Sequence, residues 1–330
     1  MNMKNKQQLI VVIITVIIFF KNFAFAQGGV AKDNTIKLNT EILNIIKKNS
    51  MFSDKLNWKQ VNEESKILPF TTNDSLNEKI IYNFYTQKLR EVGDRHSFFV
   101  TNKVMEKFRE KPLVDTPAGK YLGEGIAWLK IPAILSFDGE KELKYANDVR
   151  GIIKKIDTDN TITGWIVDLR QNTGGNMWPM LAGLNALVED GTAGYFVEGK
   201  TGKKYPWQNK NGILLGKGQV VDTYKSKNRN VKIAILIDSR TASSGEMTAI
   251  SFLGLPNVKS FGQTSAGYTT ANYTFVLSNG TQLQLAKTYV ADRTGKGYPK
   301  NVEPDVSVEP GIDSGQDKVI LSASTWLKSK

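Results

Sequence analysis

The 330-residue sequence contains no cysteine and a single histidine, His96. The first absence excludes disulfide bonds and a lipid anchor on a cysteine, so burial alone must hold the fold together. The second excludes zinc sites built from several histidines, and the motif H-E-x-x-H is absent. The pattern S-x-x-K is also absent, which argues against acylases of the penicillin-binding type. A lone histidine is usually a core or surface residue, but any imidazole base in this protein must be His96.

The first 26 residues have the composition of a secretory signal peptide. Lys4 and Lys6 precede an apolar run too short for an ordinary membrane span, and small residues end it at Ala24–Ala26. We therefore expect an exported protein, periplasmic or extracellular, whose mature chain begins near Gln27 and has no stable membrane insertion. The alternative is an uncleaved membrane anchor, but Lys21 interrupts the apolar run.

The formal charge of the chain is +12, and removal of the three signal-peptide lysines leaves +9. Such a charge would suit nucleic acid or an acidic cell surface. The basic residues are dispersed, however, and short runs such as Lys225–Arg229 lie in loop-like sequence. We interpret them as solvated faces and predict no nucleic-acid partner.

Hydrophobic periodicity divides the mature sequence into two regions. From Thr35 to about Phe108, apolar residues recur three and four apart, which predicts helices, one of them with Asp74 as its N-cap. From Gly123 onward, strand-like and helix-like segments alternate, which predicts a largely parallel or mixed sheet covered on both faces. The predicted organisation is a signal peptide (1–26), an N-terminal helical region (27–120) and an α/β core (121–330).

One apparent nucleotide-binding motif is better explained as a β-hairpin. The segment Gly194–Thr201, GYFVEGKT, fits the phosphate-loop pattern G-x-x-x-x-G-K-[ST]. That loop requires small interior residues and a following helix, so that backbone amides point at phosphate. Here the interior is Tyr-Phe-Val, and Pro206 follows without helical periodicity. A second hairpin is predicted at Asn279-Gly280, and nothing in the sequence implies a metal or an organic cofactor.

Two segments combine turn residues with groups that can perform chemistry. DLRQNTGG ends a predicted buried strand at Gly174 and Gly175, which provide either a positive-φ turn or a close backbone approach to an oxyanion. TASSGE follows the buried strand VKIAILID, and its Ser243 and Glu246 form an S-x-x-E capping box. A helix N-terminus also stabilises an alkoxide and a developing oxyanion, so Ser243 can be both cap and nucleophile.

Together with FGQTSAG and VEPDV, these segments occur in the order seen in the tail-specific, or C-terminal processing, serine peptidases. The sequence resembles that family, which includes the tricorn core protease, over about residues 123–310, with His96 upstream. The resemblance implies a ClpP/crotonase-like α/β catalytic core. It also implies that Ser243 is the nucleophile and that the oxyanion hole is formed by backbone amides of Ser244 and of Gly174 or Gly175.

The sequence departs from the family pattern in three respects. Many bacterial members use a Ser–Lys dyad, and Tyr268 stands where the lysine is expected. The resemblance therefore implies the branch in which a histidine, here His96, is the base. Tricorn-like members carry a glutamate at the position of Tyr298, so the group that orients His96 is left open among Asp94, Ser97, Tyr298 and Glu303. The interval after His96 is too short for the PDZ domain that many members insert.

We therefore predict an exported serine peptidase, with Ser243 as nucleophile and His96 as general base, that acts on a peptide or protein substrate. The main alternative is a catalytically inactive protein that binds a peptide or a small apolar ligand on the same fold, because both the lysine and the glutamate are missing. A third class, a binder of nucleic acid or of a surface polyanion, depends on charge alone.

Overall fold

The structure is a computed structural model that describes residues 33–136, 138–188, 190–210 and 222–329. The predicted signal peptide lies outside these residues. In the described ranges, no helix is both long and apolar enough to cross a membrane. The described α-helices are α1 (Asp33–Asn49), α2 (Trp58–Lys66), α3 (Asp74–Glu91), α4 (Asn102–Glu110), α5 (Gly139–Asp159), α6 (Met177–Leu184), α7 (Ser244–Ile250) and α8 (Lys318–Lys328).

The described strands form two main sheets and two separate two-stranded pairs. They are β1 (Phe98–Val100), β2 (Leu113–Val114), β3 (Ala118–Gly123), β4 (Ile126–Lys130), β5 (Ile134–Leu135), β6 (Gly164–Asp168), β7 (Gly191–Glu198), β8 (Lys204–Asn209), β9 (Lys232–Ile237), β10 (Val258–Gly262), β11 (Thr270–Val276), β12 (Gln282–Asp292), β13 (Gly297–Tyr298), β14 (Val306–Ser307), β15 (Ile312–Asp313) and β16 (Gln316–Asp317). The first sheet has the order β14-β10-β9-β6-β4-β3 and is parallel except for β3. The second is antiparallel, with the order β1-β12-β7-β8, and β11 and β13 also pair with β12.

The parallel sheet is covered on both faces, as the alternation of strands and helices predicted. Along β9, Ile233 and Ile235 share a hydrophobic cluster with residues of α5 and α6. Ala234 and Leu236 point to the opposite face and share a cluster with Leu327 of α8. Continuous burial of this kind explains why VKIAILID reads as an unbroken apolar run rather than an alternating one.

The N-terminal helices pack on the antiparallel sheet. Ile42 of α1 and Ile81 and Tyr85 of α3 belong to one buried cluster with Leu283 and Leu285 of β12. Strand β1, which follows α3, then pairs with β12. The helical region is therefore joined to the core through β12, and the chain between α3 and β1, which carries His96, lies against this sheet.

Local sequence signals predict most helices and hairpins, but the predicted N-cap of α3 differs from the observed one. The α3 helix begins at Asp74, and its N-cap is Asn73, whose side-chain oxygen accepts a hydrogen bond from the Leu76 N–H at 3.0 Å. The prediction of Asp74 as the cap was wrong by one residue, because either residue type can cap and only the loop geometry selects between them. Both predicted hairpins are present, β7–β8 and β11–β12, and Gly280 adopts φ 83° in the second turn.

Candidate active site

Two loops at the carboxyl ends of neighbouring parallel strands build the centre of the site. Asp168, the last residue of β6, lies opposite Leu236 of β9. The loop after β6 carries the Gly174–Gly175 turn, and the loop after β9 carries Ser243. Crevices at the carboxyl ends of parallel strands are the usual binding sites of α/β folds.

Ser243 is the N-cap of α7 but has unusual backbone geometry. Its φ and ψ are 50° and −119°, whereas an ordinary N-cap is extended with negative φ. Such a conformation costs on the order of 1–3 kcal/mol and is concentrated at functional sites. The glutamate half of the capping box is formed, because the Glu246 carboxylate accepts a hydrogen bond from the Ser243 N–H at 2.8 Å. Ser243 also lines the large groove described below.

The glycine turn lies directly against this serine. Gly174 and Gly175 have φ values of 103° and 109°, which favour glycine. The Gly174 N–H donates to the Asn172 side-chain oxygen at 2.9 Å, and the Asn172 carbonyl accepts from the Ala242 N–H at 2.9 Å. Asn172 is fully buried and therefore ties the two loops together. Because the Gly174 amide is engaged, Gly175 is the better donor from this turn.

The adjacent serine has a side-chain contact that the sequence does not reveal. Ser244 Oγ donates to the Gly175 carbonyl at 2.6 Å, across the two loops. The N–H groups of Gly175 and Ser244 make no hydrogen bond to other residues in the described part of the chain. Two backbone donors are therefore available beside Ser243, and Ser244 Oγ fixes their relative orientation.

His96 lines the same groove from another part of the chain, the loop before β1. Its Nδ1 lies 2.8 Å from Thr270 Oγ1 on β11, and its ring packs edge-on against Tyr268 with centroids 5.3 Å apart. Burial lowers the pKa of His96 below its ordinary value, and the nearby Asp94 carboxylate partly opposes this shift. The imidazole is therefore uncharged at neutral pH and can accept a proton.

Two of the four candidates for orienting His96, Asp94 and Ser97, bind the backbone of its loop rather than its imidazole ring. Asp94 is buried, and its carboxylate accepts hydrogen bonds from the backbone N–H groups of His96 and Ser97, both at 2.9 Å. Ser97 Oγ donates to Asp94 and accepts from the Ala286 N–H of β12 at 2.9 Å. Both residues fix the backbone on which His96 stands.

The other two candidates make no described contact with the imidazole. The Tyr298 hydroxyl donates to Asp292 at 3.0 Å, and Glu303 is exposed. Among described residues, the hydrogen-bond partner of the His96 ring is Thr270. Sequence reasoning missed this threonine, because it follows His96 by 174 residues and no local motif connects them.

Ser243 and His96 line one groove of about 1050 Å³, which Gly175, Ser244 and Tyr268 also line. The described contacts include no hydrogen bond between Ser243 Oγ and the imidazole. Catalytic hydrogen bonds are often long in free enzymes and tighten when substrate binds. The described residues include no cluster of three or more His, Asp or Glu side chains that could hold a metal ion.

Comparison with known proteins identifies relatives over most of the chain. The family model described as Peptidase family S41 matches residues 125–308. A nisin-resistance protein from Lactococcus lactis subsp. lactis is 34% identical over 283 residues, covering 85% of this chain and 83% of that protein. A lipoprotein structure from Streptococcus agalactiae is 30% identical, with a TM-score of 0.74, covering 89% of this chain and 96% of that one.

A more distant structure supports the fold alone. The photosystem II D1 C-terminal processing protease is 11% identical, with a TM-score of 0.58, and the match covers 91% of this chain and 98% of that one. The α/β core preceded by N-terminal helices, as predicted from the sequence, therefore agrees with that of known peptidases.

Alanine substitutions test the close approach of the glycine turn. An added Cβ at Gly175 would lie 1.9 Å from the Ile134 carbonyl oxygen, whereas at Gly174 it would lie 2.9 Å from Ser243 Cβ. We expect Gly175→Ala to lower the free energy of unfolding by at least about 2 kcal/mol, because backbone must move at a positive-φ position. Gly174→Ala should destabilise less but should slow reaction with a fluorophosphonate probe, because it displaces the serine.

Gly151→Ala is the matched control, since nothing lies within 4 Å of its added Cβ and its helical backbone favours alanine. It should stabilise the protein by about 0.5–1 kcal/mol. Denaturant unfolding and the rate of probe labelling are the measurements. Equal stability of Gly175→Ala and Gly151→Ala would contradict the described turn.

Proposed function

The chain belongs to peptidase family S41, and we propose that it is an exported serine peptidase that cleaves a peptide bond through an acyl-enzyme on Ser243. One observation carries the proposal: a serine with strained backbone, a half-buried imidazole and two unengaged amides meet in a single groove. Each of these features corresponds to a separate requirement of acyl transfer.

In the proposed first step, His96 removes the proton of Ser243 as the serine oxygen attacks the substrate carbonyl. The contact between Nδ1 and Thr270 Oγ1 supports this role for the ring. If Nδ1–H donates to the threonine hydroxyl, the lone pair of Nε2 is left to accept the serine proton. Thr270 then takes the place of the carboxylate that orients histidine in many serine peptidases.

The oxyanion of the tetrahedral intermediate would be bound by the N–H groups of Gly175 and Ser244. Both amides lie beside Ser243, and Ser244 begins α7, whose N-terminal dipole also favours negative charge. Each donor of this kind contributes about 3–4 kcal/mol to transition-state stabilisation in comparable enzymes.

Collapse of the intermediate would break the carbon–nitrogen bond and leave an ester on Ser243. The protonated His96 gives its proton to the departing amine, so that no free amide anion forms. A water molecule then attacks the ester while His96 accepts one of its protons. Collapse of this second intermediate breaks the ester bond, His96 returns the proton to Ser243 Oγ, and the carboxylic acid leaves. The cycle requires no group beyond those described.

For the substrate, we propose a peptide antibiotic of the nisin kind. The support is the name of the Lactococcus lactis relative, a nisin-resistance protein, which matches most of both chains. Location outside the cytoplasm is proposed from the signal-like N-terminus. Because this chain has no cysteine, it lacks the residue on which bacterial lipid anchors are built. Mass spectrometry of nisin incubated with the purified protein tests this substrate directly.

The rival proposal is a binding protein that has lost turnover on the same fold. Its support is the absence of a hydrogen bond between Ser243 and His96 in the described contacts. Covalent labelling distinguishes the two functions, because a serine that only lines a binding groove does not react rapidly with a fluorophosphonate.

The pH dependence of hydrolysis should report the ionisation of His96. Burial lowers its pKa below 6.5, and only the neutral imidazole can accept the serine proton. The value of kcat/KM should therefore rise with pH through one ionisation below about pH 6.5 and be constant above pH 7. His96→Ala should remove this ionisation with most of the rate. An unchanged rate in that variant would indicate a lysine base.

Thr270→Val should lower kcat while leaving KM and the folded state almost unchanged. Valine has nearly the shape of threonine but cannot accept the hydrogen bond from Nδ1–H, so the imidazole loses its fixed tautomer and orientation. A loss of about 10- to 100-fold corresponds to the 1–3 kcal/mol of one buried hydrogen bond. Thr270→Ser retains the hydroxyl and should retain most of the activity. Equal activity of the valine and serine variants would contradict this role.

Replacement of the two adjacent serines distinguishes the nucleophile from a helix cap. Ser243→Ala should abolish covalent labelling and lower peptide hydrolysis by at least about 10⁴-fold. A simple cap would instead lose only about 1 kcal/mol of stability. Ser244→Ala keeps the backbone N–H but loses the contact with Gly175, so it should still be labelled, about tenfold more slowly. Labelling of Ser243→Ala but not of Ser244→Ala would shift the assigned nucleophile by one residue.

A further inference from the structure

The carboxylate of Glu246 lies between the two halves of the proposed active site. Its side chain is fully buried, on the first turn of α7. One carboxylate oxygen, Oε2, accepts hydrogen bonds from the Ser243 N–H and from the Tyr268 N–H, both at 2.8 Å. A single oxygen atom therefore joins the backbone of the proposed nucleophile to the backbone of the residue that packs on His96.

The second oxygen of the carboxylate strengthens this connection. Oε1 accepts from the Gly267 N–H at 2.9 Å and from the Ser265 hydroxyl. Ser265 Oγ in turn accepts from the Val302 N–H at 2.8 Å. The loop from Ser265 to Tyr268 is thus held on Glu246 at three points. A capping box asks of its glutamate only the bond to the N-cap amide, here that of Ser243, so the remaining three bonds of Glu246 require another explanation.

Beyond Tyr268, the connection continues to the imidazole. The Tyr268 ring lies edge-on to His96, and Thr270, two residues later, contacts Nδ1. His96 itself is held by Asp94 and by the Asn272 side chain, which donates to its carbonyl at 2.8 Å. None of these contacts involves the loop of Ser243. The two loops are also joined by one backbone hydrogen bond, from the Ala266 N–H to the Thr241 carbonyl at 2.9 Å. Glu246 is the side chain that links the Ser265–Tyr268 loop to Ser243 itself.

We propose that Glu246 is a positioning residue for catalysis, whose carboxylate sets the separation between Ser243 and the Tyr268–Thr270 wall that holds His96. This inference rests on the proposed peptidase function. It assigns Tyr268 a role as well. The Tyr268 N–H binds Glu246, and the Tyr268 ring packs against His96, so this residue links the carboxylate to the proposed base. The family resemblance places a lysine at this position.

The chemistry of the four contacts requires a carboxylate. All four groups are donors, and a carboxylate offers acceptors on both oxygens. In Glu246→Gln, an NH₂ group would replace one of the two carboxylate oxygens. That group cannot accept hydrogen bonds, so the two buried donors that face it would lose their acceptor. Aspartate is shorter by one methylene group and cannot keep its bonds to both loops. Neither substitution adds bulk to the groove.

Asp292 provides a matched control within the same chain. It is 2% exposed, and its carboxylate also accepts from four donors: the N–H and hydroxyl of Thr294, the Lys296 N–H and the Tyr298 hydroxyl. It lies at the β12–β13 turn and does not line the groove. Asp292→Asn should therefore reproduce the loss of stability without disturbing the serine or the histidine.

The experiment compares the wild-type protein, Glu246→Gln, Asp292→Asn and Ser243→Ala in thermal unfolding and in the second-order rate of fluorophosphonate labelling. We expect both amide variants to lose stability. Glu246→Gln should be labelled about 30-fold more slowly or worse, and its kcat should fall more than its KM rises. Asp292→Asn should be labelled within about threefold of the wild-type rate, because the hydrogen bonds that it loses involve no residue of the groove.

The outcomes separate this inference from the proposed function. Absence of wild-type labelling would refute the peptidase function itself. Rapid wild-type labelling with an equal rate in Glu246→Gln, or an equal loss in both amide variants, would overturn the positioning role.

If Glu246→Gln does not fold, Ser265→Ala replaces it. That variant removes one bond to Oε1, together with the bond that Ser265 Oγ accepts from the Val302 N–H, and leaves the bond between Glu246 and the Ser243 amide intact. It should slow labelling about three- to tenfold, as expected for one net hydrogen bond, and an unchanged rate would overturn the inference.

Discussion

The backbone of Ser243 lies in the left-handed region at φ 50°, a conformation that serine adopts only where surrounding contacts compensate the strain. Glu246 holds its amide, and the neighbouring Ala242 amide is held by the carbonyl of Asn172. Asn172 also fixes the amide of Gly174. The serine loop and the glycine turn therefore form one unit, and the availability of the Gly175 and Ser244 amides depends on it.

The proposed base comes from a different part of the fold. Ser243 follows a parallel strand, whereas His96 stands between the helical region and β1, against the antiparallel sheet. The N-terminal helices pack on β12 through a continuous hydrophobic cluster, so they stabilise the strand beside which His96 is placed. This arrangement gives the helical region a role in building the groove. Tyr268, which stands where the family resemblance places a lysine, packs its ring edge-on against the imidazole.

Much of the fold and part of the candidate site could be predicted from the sequence. Buried strands, hairpins and the segments TASSGE and DLRQNTGG are local patterns, and they place Ser243, Gly174 and Gly175 at strand ends. The contacts of Thr270 with His96 and of Ser244 Oγ with Gly175 join segments 174 and 69 residues apart. No local periodicity encodes such pairs. Threonine and serine are also common in strands and caps, so their residue type alone indicates nothing about a site.

The central claim is that Ser243, His96 and the amides of Gly175 and Ser244 act on one reacting group. A crystal structure of the protein after reaction with a fluorophosphonate tests it most directly. The account predicts a covalent bond to Ser243 Oγ, with the phosphoryl oxygen about 2.7–3.1 Å from both amide nitrogens. His96 Nε2 should face the adduct while Nδ1 remains on Thr270. An adduct on another residue, or a phosphoryl oxygen directed away from both amides, would contradict the account.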